Sequence, residues 1–231
     1  MMRNIKKWAY ERHPDLVRVF QLIRYEWLGA YAQLAGLFSP AQRRLIASLR
    51  KQRDIKLNIA SGGARRPGWI GLDVSPRAEI RMDLRRPLPL TDGSVALIYC
   101  EHFCDHLNFP HAIDAFLREC HRVLAVGGRA RLVLHDARDL ARAYLENDTR
   151  YFEESGQGGH PPIVAVNLLF RFNDFHQFLY DFEFFAELLR KAGFEQVIRS
   201  SYLRSDVPEL VLDETHPDRE ILSMYIEAIK S

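Results

Sequence analysis

Apolar residues in the first part of the chain recur at the spacing of a helix. Four of them are separated by four, three and four positions, which places them on one helix face. They are Leu16, Phe20, Ile23 and Trp27. Ser39 followed by Pro40 is typical of a second helix start, because a hydroxyl group caps the first turn and proline is tolerated there. Residues 1–55 are therefore predicted to form a helical extension.

From residue 56 onward, short apolar runs alternate with amphipathic segments. The predicted strands are 56–60, 69–73, 78–82, 95–100 and 129–135. Together with helices over 110–125 and 136–146, this alternation predicts a mostly parallel α/β sheet. After a helix that Asp181 caps, two closing strands near 194–202 and 219–228 are predicted to form an antiparallel pair.

Residues 147–178 form a segment rich in glycine, proline, asparagine and aromatic residues. Its apolar residues follow neither the spacing of a helix nor the alternation of a strand. A loop of this length inside a compact domain is usually functional. We therefore predict an irregular segment that acts as a lid or substrate loop.

Composition places the chain among ordinary globular proteins. Its 231 residues are 47% hydrophobic and carry a formal net charge of +2. Three cysteines do not supply a disulfide framework and are typical of a reducing compartment, so a cytoplasmic location is expected.

Charge is unevenly distributed along the chain. Residues 1–55 contain 11 lysines and arginines against 4 acidic residues, a net +7. A solvated helix face is the simplest interpretation, while peripheral contact with an anionic membrane through Trp8, Tyr10 and Trp27 is left open. No nucleic-acid-binding motif accompanies these charges, so no nucleic-acid partner is expected. A homodimer is also left open.

The stretch from Lys56 to Asp73 carries the clearest chemical signal. An apolar strand leads into Gly62 and Gly63, where the missing Cβ lets backbone N–H groups approach a ligand closely. The next strand ends on Asp73, the position where a Rossmann-like fold holds ribose hydroxyls. This combination predicts a site for an adenosine-containing cofactor.

Five ordered segments resemble the class I S-adenosylmethionine (SAM) dependent methyltransferases, and more narrowly a small bacterial subfamily with a shortened first crossover. They are LNIASGG (57–63), GWIGLD (68–73), MDLRRPLPLTDGSVALIYCEHFCDHL (82–107), FLRECHRVLAVGGRARLVLHD (116–136) and FLYDFEFFAELLRKAGFEQV (178–197). The resemblance implies a Rossmann-like methyltransferase sheet over 56–231, mostly parallel with an antiparallel C-terminal strand. It also implies SAM as the cofactor.

The resemblance further implies which positions contact SAM. Asp73 would bind the ribose hydroxyls, Asp83 the adenine amino group, and Leu84 would pack on the adenine. The glycine turn would line the methionine end, and the residues that leave the fourth strand would face the sulfonium and the acceptor. The implied cofactor contacts are Ala60, Ser61, Gly62, Gly63, Asp73, Asp83, Leu84, Tyr99 and Glu101.

Three features depart from the family pattern. Ala60 replaces the usual glycine, which is acceptable if its φ is negative, and Asn58 stands where an acid is frequent. Only residues 64–68 separate the glycines from Trp69, whereas a complete crossover takes at least about 10–12 residues. The first crossover helix is therefore predicted to be missing, and the extension 1–55 is predicted to cover the sheet face that it leaves bare.

Methyl transfer to oxygen or nitrogen requires the loss of a proton, and a general base contributes about 10²–10⁴-fold to such steps. The candidates, in order, are His176, His102 and His135, each of which can equally be a structural histidine. The cysteines and histidines between Cys100 and His121 lack the paired spacing of a closed zinc site, so no metal ligand is predicted.

These features predict a SAM-dependent methyltransferase acting on an oxygen or nitrogen of a small-molecule or glycan acceptor, with a sugar hydroxyl as the first acceptor to test. A non-catalytic binding or scaffold protein of the same fold is the alternative. A nicotinamide dehydrogenase is disfavoured because the turn lacks G-x-G-x-x-G.

Overall fold

The computed structural model describes residues 12–172, 175–213 and 217–231. Its centre is a seven-stranded sheet. The strands are β1 (Ile55–Ile59), β2 (Ile70–Asp73), β3 (Ile80–Arg81), β4 (Val95–Glu101), β5 (Leu124–His135), β6 (Gln196–Ser200) and β7 (Ser223–Ile229). Their spatial order is β3-β2-β1-β4-β5-β7-β6. Only β7 runs antiparallel to its neighbours, so the predicted mostly parallel sheet with an antiparallel C-terminal strand is confirmed.

Helices flank this sheet. They are α1 (Pro14–Phe38), α2 (Pro40–Leu49), α3 (His111–Val123), α4 (Ala137–Leu145), α5 (Thr149–Glu154), α6 (Pro162–Arg171), α7 (Phe182–Lys191) and α8 (Pro217–Leu222). Two predicted starts are confirmed by their caps. The Ser39 hydroxyl accepts a hydrogen bond from the Gln42 amide at 3.2 Å, and the Asp181 carboxylate accepts one from the Phe184 amide at 2.9 Å. No described helix is long and apolar enough to cross a bilayer.

The core lies on both faces of the central strands. Leu57 of β1, Ile98 of β4 and Leu132 of β5 are buried on one face, and Tyr99 of β4 and Val133 of β5 are buried on the other. The strands β1, β2, β4 and β5 are parallel, so their carboxyl ends meet at one edge of the sheet. Open parallel sheets bind ligands at this edge.

The segment 147–178 is not irregular, as predicted, but contains α5 and α6. The Asp148 carboxylate caps α5 by accepting a hydrogen bond from the Tyr151 amide at 3.0 Å. Proline at the first turn suits the start of α6. These start signals lie among glycines and prolines, which is why composition alone indicated a loop. The predicted strand over 219–228 likewise starts too early, because α8 precedes β7.

The extension has a different packing from the one predicted. No helix occurs among the described residues 60–69, and α2 does pack its apolar face on the core through Leu45, Ile46 and Leu49. The predicted apolar stripe of α1, however, is 60–67% exposed. The prediction that this stripe covers the sheet is therefore wrong. Trp8 and Tyr10 lie outside the described residues.

The buried face of α1 consists of small residues instead. Gly29, Ala32 and Gly36 are buried and lie three and four positions apart. A Cβ on Gly36 would lie 2.8 Å from the Arg81 carbonyl oxygen. Glycine at this position therefore lets α1 approach the β3 edge closely.

Candidate active site at the carboxyl edge of the sheet

The turn after β1 is bonded directly to the acid that ends β2. The Gly62 amide donates a hydrogen bond to Asp73 Oδ2 at 3.0 Å, and the Ser75 amide donates one to Asp73 Oδ1 at 2.7 Å. Gly62 and Gly63 have φ values of 58° and 85°, in the left-handed region that favours glycine. Each carboxylate oxygen keeps a further lone pair, so Asp73 can still accept hydrogen bonds from a ligand.

Ala60 adopts the conformation that glycine usually takes. We expected alanine to be tolerated here with a negative φ, but the φ of Ala60 is 57°. A left-handed conformation costs a residue with a Cβ about 1–2 kcal/mol. The turn therefore carries local strain at the point where β1 meets the cavities described next.

A cavity of about 510 Å³ lies beside this turn. It contains four of the implied cofactor positions and two histidines. The lining residues used below are Leu28, Gly29, Ala60, Asp73, Asp83, Leu84, His102, His106 and Phe175. Volumes of roughly 300–1,000 Å³ are usual for sites that take a small molecule or cofactor.

A smaller cavity of about 180 Å³ lies on the other side of the turn. It shares Ala60 and His102 with the larger cavity, and both shared residues have a left-handed φ. Ser61, Gly62, Tyr99 and Glu101 line this second cavity, together with Asn58, Arg66 and Arg219. The two cavities thus meet at Ala60 and His102.

Gly63 lines neither cavity. A Cβ there would lie 2.7 Å from Arg77 Cβ, so the residue packs against the loop that follows β2. Gly63 therefore does not contact either cavity, in contrast to Ala60, Ser61 and Gly62 of the same turn.

The smaller cavity is polar and internally paired. Arg219 Nε lies 3.0 Å from Glu101 Oε1, and the Tyr99 hydroxyl donates to Glu101 Oε2 at 2.8 Å. Burial, followed by the charges of Glu101 and Asp213, raises the pKa of Tyr99, which keeps its phenol protonated. The cavity therefore presents a carboxylate that is held by the Tyr99 hydroxyl, beside two guanidinium groups, an arrangement suited to a zwitterion.

Asp83 is bound by an arginine rather than standing alone. Arg85 Nε and Nη2 donate to Asp83 at 3.0 and 2.8 Å, and the same guanidinium donates to Glu26 of α1 at 2.6 and 2.9 Å. Burial would raise the pKa of Asp83, but the hydrogen bonds and charge of Arg85 outweigh it and hold that pKa below its ordinary value. The hydrogen bond and charge of Arg85 also lower the pKa of Glu26.

This ion-pair network joins the extension to the cavity wall. Leu28 and Gly29 of α1 line the larger cavity, and a Cβ on Gly29 would lie 3.0 Å from Asp83 Oδ2. The α1 helix therefore forms one wall of the site, and its close approach depends on glycine at position 29.

The three histidines predicted as bases come together, with His106 as a fourth. Ring centroids are 4.3 Å apart for His102 and His135, 4.7 Å for His135 and His176, and 5.1 Å for His106 and His176. His102 and His106 line the larger cavity. His135 and His176 do not line it, so the cluster reaches that cavity through His102 and His106.

Hydrogen bonds fix the tautomers of two of these rings. His176 Nδ1 lies 3.1 Å from the Leu169 carbonyl oxygen, and His106 Nδ1 lies 3.1 Å from the Phe175 carbonyl oxygen. A carbonyl oxygen only accepts, so both Nδ1 atoms carry the proton and both Nε2 atoms are acceptors. Burial, followed by the charge of His135, lowers the pKa of His176 to about 4. Burial is also the main cause that lowers the pKa values of His102 and His106, so neutral rings are favoured at pH 7.

Several residues of the site carry no signal that sequence reasoning recognised. Asp105 is fully buried and its Oδ2 lies 2.9 Å from His135 Nδ1. Arg85 lies in the matching segment 82–107 and Phe175 in the predicted lid, but neither residue was singled out, and Arg219 lies outside the five matching segments. Asp105 lies three positions after His102, in a short 3₁₀ turn (Cys104–His106) at the end of β4, and that proximity was the one available signal.

Part of the chain matches the model of a known protein family. Residues 68–132, from the loop before β2 to the middle of β5, match the model of a methyltransferase domain. This segment contains Asp73, Asp83 and His102. This part of the chain is similar to a methyltransferase domain. The match agrees with the SAM-dependent methyltransferase and the SAM cofactor predicted from the sequence, and the described sheet has the predicted mostly parallel topology.

The solved structures that are similar to the chain are distant from it in sequence. One is a SAM-dependent methyltransferase from Thermotoga maritima named as a possible histamine N-methyltransferase, with 18% identity, a TM-score of 0.47, and coverage of 92% of this chain and 96% of that one. Another is the YcgJ protein of Bacillus subtilis, with 17% identity, a TM-score of 0.44, and coverage of 80% and 96%. No curated protein matches the chain.

A third structure contains the cofactor. Phosphoethanolamine N-methyltransferase 2 of Haemonchus contortus, in complex with SAM, has 12% identity, a TM-score of 0.40, and coverage of 82% of this chain and 52% of that one.

Proposed function

We propose that the protein transfers the methyl group of SAM to an oxygen or nitrogen of a small-molecule or glycan acceptor. The observation that carries this proposal is the four-histidine cluster, which reaches through His102 and His106 the cavity that Asp73 and Asp83 also line. An acceptor beside these two histidines lies close to groups able to take its proton.

The nucleoside part of SAM is assigned to the larger cavity. Asp73 would accept hydrogen bonds from the ribose hydroxyls, since it lines the cavity and two backbone amides hold its carboxylate in place. Leu84 would pack on the adenine. Asp83 would accept from the adenine amino group through the lone pairs that Arg85 leaves available.

The methionine part is assigned to the smaller cavity. Arg66 and Arg219 supply positive charge for its carboxylate, and Glu101 and Asn58 supply acceptors for its ammonium group. The sulfonium would then lie near Ala60 and His102, which line both cavities. Ser61, Gly62 and Tyr99 complete this end, whereas Gly63 supports the turn from outside it.

The proton of the acceptor is assigned to His176. Its Nδ1 proton is held by the Leu169 carbonyl oxygen, so Nε2 is the atom that accepts. In the proposed step the acceptor atom attacks the methyl carbon, the carbon–sulfur electron pair stays on sulfur, and the acceptor proton passes to His176 Nε2. The chain contributes alignment and exclusion of water, with residues 1–55 and 147–178 as walls of the site.

The test is methyl transfer measured by mass spectrometry. The full chain is incubated with SAM and panels of sugars, nucleotide sugars and amines, and each acceptor is examined for the mass of one added methyl group. We expect a methylated product with the wild type and a loss of about 10²–10⁴-fold in kcat with His176→Phe. His160→Phe, an exposed histidine of the same segment, is the matched control and should retain activity.

A non-catalytic binding or scaffold protein would give a different result in the same assay. A protein that binds partners without catalysis would bind SAM weakly or not at all and yield no methylated product. Calorimetric titration with SAM and S-adenosylhomocysteine therefore accompanies the assay. Silence in both measurements would contradict the proposed function.

A further inference from the structure

Three polar atoms from three different segments converge at the inner side of the histidine cluster. His102 Nδ1 lies 3.3 Å from His135 Nδ1, and His135 Nδ1 lies 2.9 Å from Asp105 Oδ2. His102 Nδ1 lies 3.9 Å from the same carboxylate oxygen. His102 follows β4, Asp105 lies in the 3₁₀ turn, and His135 ends β5. All three atoms lie within 4.8 Å of one another.

The two Nδ1 atoms and the carboxylate oxygen have only one proton among them when both rings are neutral. If His135 Nδ1 carries a proton, it donates to Asp105, and His102 Nδ1 must then present a lone pair because two facing N–H groups would repel. His102 Nε2, 3.2 Å from the Ser223 hydroxyl, then carries the ring proton. Two nitrogens and a carboxylate oxygen thus share one proton. A single cation at their centre would satisfy all three atoms.

The separations are those of a metal site. Bonds of about 2.0–2.1 Å in tetrahedral geometry place neighbouring donor atoms about 3.3 Å apart. The observed distances of 2.9, 3.3 and 3.9 Å lie on either side of that value. Side-chain movements of a few tenths of an ångström would make the three edges equal.

Asp105 provides an independent observation. Its side chain is fully buried. Oδ2, which faces the two rings, also lies 3.4 Å from the His135 amide, whereas Oδ1 has no hydrogen-bond partner among the described residues. A buried carboxylate with one oxygen left unpaired is costly, and such groups are normally paired or bound to a metal. His102 adds a second sign of function, since its φ of 48° is a strained conformation that clusters at functional sites.

We propose that His102, Asp105 and His135 bind a divalent first-row transition-metal ion. Two imidazoles and one carboxylate suit Zn²⁺ and its neighbours, whereas Mg²⁺ and Ca²⁺ prefer oxygen ligands. Three protein ligands leave a fourth position open, as in catalytic rather than structural sites. Ser223 orients His102 through its other nitrogen, the arrangement usual around metal-bound histidines.

The open position gives the ion a role in the proposed reaction. His102 lines the larger cavity, so a group bound at the fourth position would lie where the acceptor is assigned. The ion would hold an acceptor oxygen or nitrogen beside the sulfonium. This role rests on the proposed function, whereas binding of the ion does not.

The test is titration of the tag-free, chelator-treated full chain with Co²⁺ and Zn²⁺ in the absence of SAM and acceptor, in buffer containing excess Mg²⁺. We expect one equivalent of Co²⁺ to give the visible bands of a low-coordinate nitrogen–oxygen site and Zn²⁺ to displace it. Zn²⁺ should also raise Tm, because it binds the folded chain. His135→Ala and Asp105→Asn should each weaken binding at least about 100-fold, beyond the 10–100-fold usual for outer-shell changes.

Controls keep the outcome unambiguous. His160→Ala changes an exposed histidine and should leave the stoichiometry and affinity unchanged. Circular dichroism and the melting curve without metal establish that each variant is folded; should His135→Ala unfold, Asp105→Asn carries the test. A folded wild type that binds no stoichiometric Co²⁺ or Zn²⁺, or binding that survives in both variants, would overturn the metal site. Methyl transfer that persists in chelator, without bound metal, would overturn the role of the ion in the reaction while leaving the proposed function standing.

Discussion

The Gly62 amide donates a hydrogen bond to Asp73 Oδ2 across 3.0 Å, and this contact joins the turn after β1 to the acid that ends β2. Two residues that lie eleven positions apart in the sequence are therefore joined, and Asp73 lines the larger cavity while Gly62 lines the smaller one. A change in either residue should alter the position of the other, so the turn and the carboxylate act as a unit.

The strain at Ala60 predicts a stabilising substitution. Ala60→Gly should raise the free energy of unfolding by about 0.5–1 kcal/mol, because the left-handed φ of 57° costs alanine about 1–2 kcal/mol while glycine adds unfolded-state entropy. Urea denaturation measures the change. Ala64→Gly is the control: Ala64 is exposed and not left-handed, so the same substitution there should lower stability. Equal effects at both positions would rule out the strain.

The buried Arg131 predicts a large loss of stability. Its guanidinium, fully buried, pairs with Asp213 at 2.6 Å and Glu227 at 2.9 Å. Arg131→Met leaves both acids without this partner and should cost about 3–5 kcal/mol in urea denaturation. Arg142→Met removes a solvent-exposed pair and should change little. A loss no larger for Arg131→Met than for Arg142→Met would contradict this account of the core.

The network of Asp83, Arg85 and Glu26 predicts a loss of stability in acid. A carboxylate whose folded pKa is depressed stabilises the protein above its unfolded pKa, here near 3.8 for Asp83, and that contribution is lost as pH falls through the lower folded value. The wild type should thus melt at a higher temperature than Asp83→Asn at pH 6, and the difference should shrink below about pH 4. A difference in Tm that stays constant from pH 6 to pH 3 would be inconsistent with the depressed pKa.

The contact of α1 with the cavity wall predicts an effect on cofactor affinity. Gly29→Val places new atoms about 3 Å from Asp83 Oδ2 and should displace the helix, because overpacking costs about 1–3 kcal/mol. We expect Kd for S-adenosylhomocysteine to rise about tenfold in calorimetry. Ala30→Val changes the next, exposed residue and serves as the control. Identical Kd values for the two variants would mean that α1 is not a wall of the cofactor site.

Local sequence signals were sufficient to predict the central sheet and the turn after β1. Strand and helix periods, with Ser39 and Asp181 as caps, predicted the elements of the central sheet to within a few residues. They failed in 147–178, where short helices begin at Asp148 and Pro162 among residues that usually form loops. The glycine and proline content of this segment indicated a loop, and the helix-start residues in it were not recognised.

Long-range packing explains what the sequence could not reveal. The apolar stripe of α1 indicated a buried face, yet the helix is buried through Gly29 and Gly36, because only small residues allow the close approach. Asp105 was missed because its significance depends on His135, thirty positions later and on a different strand. Spacing along the chain does not encode such a convergence.

Asp73 is the residue on which the account depends. Titration calorimetry of S-adenosylhomocysteine should give micromolar binding to the wild type and a loss of about 10–100-fold in Asp73→Ala, since hydrogen bonds to a charged group contribute about 1.5–3 kcal/mol each. Asp73→Asn keeps the shape of the side chain and should retain part of the affinity. A folded Asp73→Ala variant that binds as tightly as the wild type would contradict the assignment of this cavity to the nucleoside.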